Sequence, residues 1–466
     1  MSLGPTLDRR HLLSAGAGVA GSLASSAVAA ASPVQKPRPA FHDLRDADTR
    51  LLEQVGRTGP LNLAKAYEVM QRNNLQGLVL GDPLNVFHVT GSWPFLGRTR
   101  PFYPPTTLAI LTRDSKQAPG LVTSKFLYYY TFADGVPSGA QRQVFLYTDG
   151  PENPADFYPD RKEVPLDAVE IRRRDRVNEA LAKNAPPVGI APAVIAAMKA
   201  MGLWRSGRIG FDRFEIQEMC AHAEFPGQLV SGHVAMGEIR LIKSPLEIEM
   251  MRRAAVANID AIHAAAAQIA PGATYRDLRS LFYAEASRRG NTPSMMTVDR
   301  VSNELADGVI RDGQALMVDI VSHFQSYHGD YGRTIAIGEP TAGVKRCIKA
   351  SAVCWTAMSE LIRPGVKFSE LLAAGKAALK KSGIPTVVTV ATHSVGLMHH
   401  DQPLFEQYGV SLPIDLVLEE NMTLSLECVA TNDTGIGGSV HYEDIMLITR
   451  DGAVPIHKVP DAVIQV

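Results

Sequence analysis

Two aspartates, Asp319 and Asp330, stand eleven residues apart in the segment VDIVSHFQSYHGDYGRTIAIG at 318–338, which otherwise reads as two strands. An apolar run at 315–318 leads into Asp319, and Thr334-Ile335-Ala336-Ile337 follows Asp330, which puts both acids at the ends of strands facing a core. A buried carboxylate without a partner is costly, so each needs either a cationic side chain, for which Arg333 is at hand, or a metal ion. Further along, ATHSVGLMHHDQPLF carries His393 and, seven residues later, His400 beside Asp401 and before Pro403. NMTLSLECVA sets Glu427 amid Leu424, Leu426 and Val429, and VHYEDIMLIT sets Glu443 just before the apolar run at 445–448. Four carboxylates and a histidine brought together offer oxygen and nitrogen donors to two divalent ions. Such a set favours Mn, Fe, Co or Zn over a thiolate-type site.

The elements that must position these groups fall into two units. In the first, an amphipathic helix over 61–74 leads to a short strand at 78–80, which Gly81-Asp82-Pro83 stops. TTLAILTRD, QVFLYTDG and GRIGFD read as further strands, with helical patterns at 164–185 and 191–201 between the last two. Strands alternating with helices indicate an α/β unit. The second unit opens at EIRLIKSPLEIEMMRRAAVANIDAIHAAAAQIAPGATYRDLRSLFYAEASRRG. Ser244 is a strong N-cap, Pro245 suits the first helical position and Glu247 closes the capping box. The core-facing spacing runs through Ile248, Met251, Ala255 and Ile259, Gly272 ends the helix, and a second helix starts at Tyr275. The strand pair with the two aspartates follows, then a helix at 344–362 and a C-terminal series of strands. This order predicts an α+β unit.

The 466 residues, 45% hydrophobic and 20% charged, suffice for two separate cores. A net charge of -1 with mixed signs gives no basic face for nucleic acid or an anionic membrane, which leaves a small molecule or a peptide as ligand. The N-terminus departs from this ordinary composition. LDRRHLLSAGAGVAGSLASSAVAAASP has paired arginines, Arg9-Arg10, a weakly apolar small-residue run and Ala-x-Ala sites ending at Ala29 or Ala31. It resembles a twin-arginine export signal over 1–31, which predicts a periplasmic or secreted protein with no membrane span after processing. A proline-rich stretch at 32–39 follows. The cysteines Cys220, Cys347, Cys354 and Cys428 show no metal-binding spacing and read as packing residues, with one bridge open in an oxidising compartment.

The ordered motifs resemble the pita-bread metallopeptidases of family M24, which include methionine aminopeptidases, Xaa-Pro aminopeptidases and prolidases, with creatinase as a metal-free relative. The resemblance extends through DPLNVFHVTG, IRLIKSPLEIEMMRRAA and each ligand motif. It implies an α/β creatinase-like N-terminal domain over 40–235 and an α+β pita-bread catalytic domain over 236–466. It further implies five metal ligands: Asp319, Asp330 in the D-x-x-R-T pattern, His393, Glu427 and Glu443, the last followed by Asp444. His400, in His400-Asp401-Gln402-Pro403, matches the catalytic histidine of the family's HE-x-P motif, a role that neighbouring His399 could also fill. His323 and His328 read as loop residues. Three departures stand out: Cys428 replaces a proline, Tyr442 replaces an arginine, and no histidine occurs over 291–318, where the peptidases commonly place one.

What the resemblance implies is hydrolysis with two divalent ions, manganese among the options, in which a water between the ions becomes the nucleophile. Glu427 serves as ligand and general base, and His400 stabilises the reacting carbonyl. The expected substrates are Xaa-Pro peptides or dipeptides. The missing histidine leaves room for a lyase of the dimethylsulfoniopropionate type or for a small-amide hydrolase. The family's habit of pairing, with the aromatic loop WPFLGRTRPFYPP near a neighbour's site, implies a homodimer.

Overall fold

The computed structural model describes residues 42–100, 103–133, 139–150, 165–183, 185–402, 404–407, 410–413, 415–430, 438–457 and 462–466. The export-like segment, the proline-rich stretch and Pro403 lie outside these residues.

The N-terminal sheet contains β1 (Leu75–Leu80), β2 (Thr107–Thr112), β3 (Gly120–Ser124), β4 (Gln143–Tyr147), β5 (Arg208–Phe211) and β6 (Gln228–Ser231). Their spatial order is β4-β3-β2-β1-β5-β6. Neighbours are antiparallel between β1, β2 and β3 and parallel elsewhere. The central strands read as unbroken apolar runs because both faces are covered. Leu78, Leu80, Ala109 and Leu111 enter one core, whereas Val79, Leu108 and Ile110 enter the other. The α/β expectation therefore holds, with β1 starting earlier than residue 78. After β1, DPLNVFHVTG forms the helix Pro83–Thr90, capped by the Asp82 carboxylate accepting from the Leu84 N–H at 2.9 Å.

The second sheet runs β10 (Thr389–Ser394), β13 (Thr423–Ala430), β14 (Val440–Thr449), β9 (Tyr327–Ala336), β8 (Ala315–Phe324) and β7 (Thr292–Val298). β15 (Gly452–Pro455) joins it beside β14, and β16 (Val463–Gln465) beside β9. A separate hairpin pairs β11 (Leu404–Gln407) with β12 (Val410–Pro413). Helices Pro245–Ala266 and Tyr275–Arg288 pack with β7, β8 and β9, and helices Ala342–Ser359 and Phe368–Ser382 with β10, β13 and β14. The capping box forms as expected: the Glu247 N–H donates to Ser244 Oγ at 3.1 Å, and the Ser244 N–H donates to Glu247 Oε2 at 2.8 Å. The helix ends at Ala266, before Gly272, because Pro271 supplies no further N–H and biases the residue before it away from helical geometry.

The pleat divides each strand between core and site. Leu316, Val318 and Ile320 of β8 and Tyr331 and Ile335 of β9 meet Ile259, Ile262, Leu278 and Phe282 of the first helix pair. Leu424, Leu426 and Cys428 of β13 pack with Cys347, Cys354 and Met358 of the second pair. The intervening residues, with Asp319, Asp330, Glu427 and Glu443 among them, therefore point away from the helices.

Three expectations change. Asp319 and Asp330 lie inside β8 and β9 rather than at strand ends, because the strands continue to Phe324 and start at Tyr327. His323 and His328 are strand residues, paired across the hairpin whose Gln325-Ser326 turn has φ of 50° and 66°. Arg333 partners neither aspartate. It points to the core side, where its guanidinium donates to Asp444 Oδ1 at 2.7 Å and to the Glu443 carbonyl. All four cysteines are buried and free, and Cys428 leaves β13 uninterrupted.

Candidate metal centre

The ligand candidates owe their convergence to strand register. Asp319 pairs with Gly332, Gly332 with Glu443 and Glu443 with Glu427, so one row crosses β8, β9, β14 and β13. Asp330 lies two residues from Gly332 on the same face, and His393 stands opposite Ser425, two residues from Glu427. The open middle of the row is Gly332. A Cβ there would lie 2.6 Å from Glu443 Oε2 and 2.3 Å from His441 Cε1, so glycine is required by close approach.

His393 Nε2 lies 3.2 Å from Glu427 Oε1 and 3.5 Å from Asp330 Oδ2. One donor atom each of Asp330, His393 and Glu443 falls within 4.8 Å of the others, and the same holds for Glu427, His441 and Glu443. Asp330 Oδ1 and Glu443 Oε2 are buried without a hydrogen-bond partner, and the His441 ring is buried with no side chain bonded to either nitrogen. Such orphaned donors, facing one another, fit divalent cations. The acidities agree. Burial, then the Asp330 and Glu427 carboxylates, push Asp319 up to about 7. Burial and the carboxylates of Asp330, Glu427 and Asp319 hold Glu443 well above the usual carboxylate range. Burial also opposes ionisation of Asp330 and Glu427, but the hydrogen bonds from His399 and His393 and the surrounding imidazoles outweigh it, so both are lowered.

Residues 249–450 match the model of metallopeptidase family M24. This segment is similar to the M24 metallopeptidases. The chain is 29% identical over 238 residues to the probable dipeptidase PepE of Mycobacterium tuberculosis, a match covering 49% of this chain and 61% of that protein. The chain thus spans less than two thirds of that relative's length. An Xaa-Pro dipeptidase of Pyrococcus furiosus is 22% identical over 409 residues, covering 85% of this chain and 97% of the relative. Among solved structures, a dipeptidase from Pyrococcus horikoshii superposes with a TM-score of 0.62 at 15% identity, covering 87% of this chain and 99% of that one. The fold is the expected pita-bread arrangement, an N-terminal α/β unit followed by the M24 sheet.

The loop after β10 adds two imidazoles to the M24 site. His399 is part-buried, with Nε2 3.1 Å from Asp330 Oδ2. His400 is exposed and stacks on His393, with ring centroids 3.8 Å apart and planes 8° from parallel. Burial of the ring and the neighbouring His393 and His399 push His400 down to about 4, so it is neutral at neutral pH. Asp401 ties this loop down. Its Oδ2 accepts from the Leu397 N–H at 2.9 Å and its Oδ1 from Arg240 Nε at 2.6 Å, and Arg240 also donates to Asn85 Oδ1 at 2.9 Å. The helix of DPLNVFHVTG is thereby linked to the M24 site, and His88 of the same helix contacts Glu247 Oε1 at 2.9 Å.

Sequence reasoning missed His441. Its signal was available: a residue two positions before Glu443 on one strand must share its face. Its Nε2 lies 3.6 Å from Glu443 Oε2 and 3.9 Å from Glu427 Oε2. On the opposite side of the row, Thr297 of β7 pairs with Asp319, in the region where a histidine is wanting.

Proposed function

We propose that this M24 protein is a two-metal-ion peptidase that releases the N-terminal residue of short peptides, with Xaa-Pro dipeptides and Xaa-Pro N-termini as its substrate class. The carrying observation is the row of Asp319, Glu443 and Glu427 with Asp330 and His393 beside it, in which Asp330 Oδ1 and Glu443 Oε2 are buried without partners. The names of the relatives, dipeptidase and Xaa-Pro dipeptidase, support the substrate class. They give the lyase alternative no support.

Asp319, Asp330, His393, Glu427 and Glu443 would hold the ions, of the Mn, Fe, Co or Zn type by donor chemistry. Two such ions supply charge that favours hydroxide near neutral pH and polarises a carbonyl. Glu427 is the general base, because its carboxylate is ionised and, unlike Glu443, is partly open to solvent, with 20% of its side chain exposed. His400, neutral and at the mouth, donates a hydrogen bond to the substrate carbonyl oxygen as negative charge develops there. His399 holds Asp330 in orientation, and Asp401 fixes the loop that carries both histidines.

The proposal extends to export and pairing. Arg9-Arg10 and the small-residue run support a twin-arginine route to the periplasm or outside. Phe95, Tyr103 and Tyr130 are 48%, 66% and 53% exposed on the N-terminal unit, an aromatic surface that suits a second copy. The decisive experiment supplies the chain with each metal in turn and compares Xaa-Pro dipeptides, longer Xaa-Pro peptides, other dipeptides and small amides. The expected result is metal-dependent turnover confined to peptides, with proline substrates ahead. Turnover of small amides alone would overturn the reading.

A further inference from the structure

We infer that His441 is a sixth protein ligand of this centre, supplying an imidazole to the ion held between Glu427 and Glu443; the inference rests on the two-metal reading above. The side chain is 1% exposed, and apart from the Val318 carbonyl no hydrogen-bonding group meets either ring nitrogen. A neutral imidazole carries one N–H, which the Val318 carbonyl can accept, and one lone pair, which is expensive to bury unless something takes it. What faces Nε2 is two carboxylates, Glu443 Oε2 at 3.6 Å and Glu427 Oε2 at 3.9 Å. These separations are too long for hydrogen bonds. Two donors that each sit 2.0–2.2 Å from a shared ion, at angles between right and trigonal, stand roughly 2.8–3.8 Å apart. The Glu443 separation lies within this range and the Glu427 separation at its upper edge, and the His393 pairs with Glu427 and Asp330, at 3.2 and 3.5 Å, fall inside it.

The surroundings are built to admit the ring. His441 and Glu443 share one face of β14, and opposite them β9 has Gly332, where a Cβ would lie 2.4 Å from His441 Nδ1. The backbone holds the strand in place, with the His441 N–H donating to Thr334 Oγ1 at 3.1 Å and Thr334 Oγ1 donating to the His441 carbonyl at 3.1 Å. The centre then has an imidazole on each side, His393 among Asp330, Glu427 and Glu443, and His441 between Glu427 and Glu443. Nitrogen donors suit Zn, Fe or Co better than Mn, so a second imidazole moves the metal preference away from manganese.

The test is zinc binding by the metal-free full chain and by His441→Asn, read by calorimetry and by X-ray absorption of the zinc. The wild type should take two zinc ions, with scattering from about one imidazole per zinc. His441→Asn should lose about half of that imidazole scattering and bind one of its two ions more than about 100-fold more weakly, beyond the 10–100-fold usual for a residue that only orients a ligand. If the variant keeps both ions within that range with unchanged scattering, the inference is overturned while the two-metal reading stands. Should His441→Asn fail to fold, the wild-type spectrum decides alone: about one imidazole per two zinc ions overturns the inference. A wild type that binds no zinc, cobalt, iron or manganese overturns the two-metal reading itself and His441 with it.

Discussion

Replacing Asp401 with alanine is expected to be among the most damaging single changes outside the ligand row. The carboxylate lies between two cationic groups, with Arg240 Nε at 2.6 Å and Lys243 Nζ at 3.9 Å, and Lys243 is 1% exposed. Removing it leaves Arg240 buried without its carboxylate, leaves Lys243 with Glu247 as its remaining opposite charge, and frees the Leu397 N–H, a cost of about 3–5 kcal/mol by analogy with other broken buried pairs. Arg240→Met should cost less, because Lys243 remains to balance Asp401. Burial alone raises the Asp401 carboxyl, but the charges of Arg240 and Lys243 and the Arg240 hydrogen bond outweigh it, so its folded pKa lies below the ordinary value. The sign follows. The stabilisation is complete above the unfolded pKa of about 3.9 and is lost as pH falls through the folded value. Arg240→Met raises that folded value, so its acid unfolding should begin at higher pH than in the wild type. Denaturant titrations of both variants at neutral pH, with acid titrations of wild type and Arg240→Met, measure all of this. An Asp401→Ala transition within about 1 kcal/mol of wild type, a level usual for exposed pairs, would refute the reasoning.

Gly332→Ala should lower stability by about 1–3 kcal/mol through overpacking and reduce bound metal, since the new Cβ meets His441 and Glu443; undiminished metal by elemental analysis would count against the row geometry. Changing Arg9 and Arg10 to lysine should leave the precursor in the cytoplasm, and fractionation with normal periplasmic recovery would argue for another route. In sedimentation, the wild type should run as a dimer and Phe95→Ser with Tyr103→Ser should shift toward monomer; a wild-type monomer would remove the paired arrangement.

The convergence of Asp319, Asp330, Glu427 and Glu443 was legible because each acid interrupts an apolar strand, a pattern whose cost demands a partner. The capping box at Ser244 was legible because a cap depends on residues three apart and on little else. The strand ends around Asp319 and Asp330 were not, because His323, Gln325, Ser326 and His328 are polar residues that a two-residue hairpin accepts and a loop accepts equally well. Arg333 was a candidate partner of the aspartates only by its proximity in sequence. Its side chain points to the opposite face from Asp330, and its partner Asp444 is 111 residues away in sequence on the neighbouring strand. His441 was legible from its place two residues before Glu443 in VHYEDIMLIT, but the apolar run at 445–448 directs attention to the other end of β14. The linkage of Asn85, Arg240 and Asp401 joins three segments distant in sequence, and no local pattern announces it.

The central claim is that Asp319, Asp330, His393, Glu427 and Glu443 hold two divalent ions. Elemental analysis of the purified, reconstituted chain beside Asp330→Ala and His393→Ala tests it most directly, with circular dichroism confirming that the variants remain folded. Close to two ions per chain in the wild type, falling in both variants together with peptide hydrolysis, is the predicted result. Two ions retained in either folded variant, or none in the wild type under any of the four metals, would contradict it.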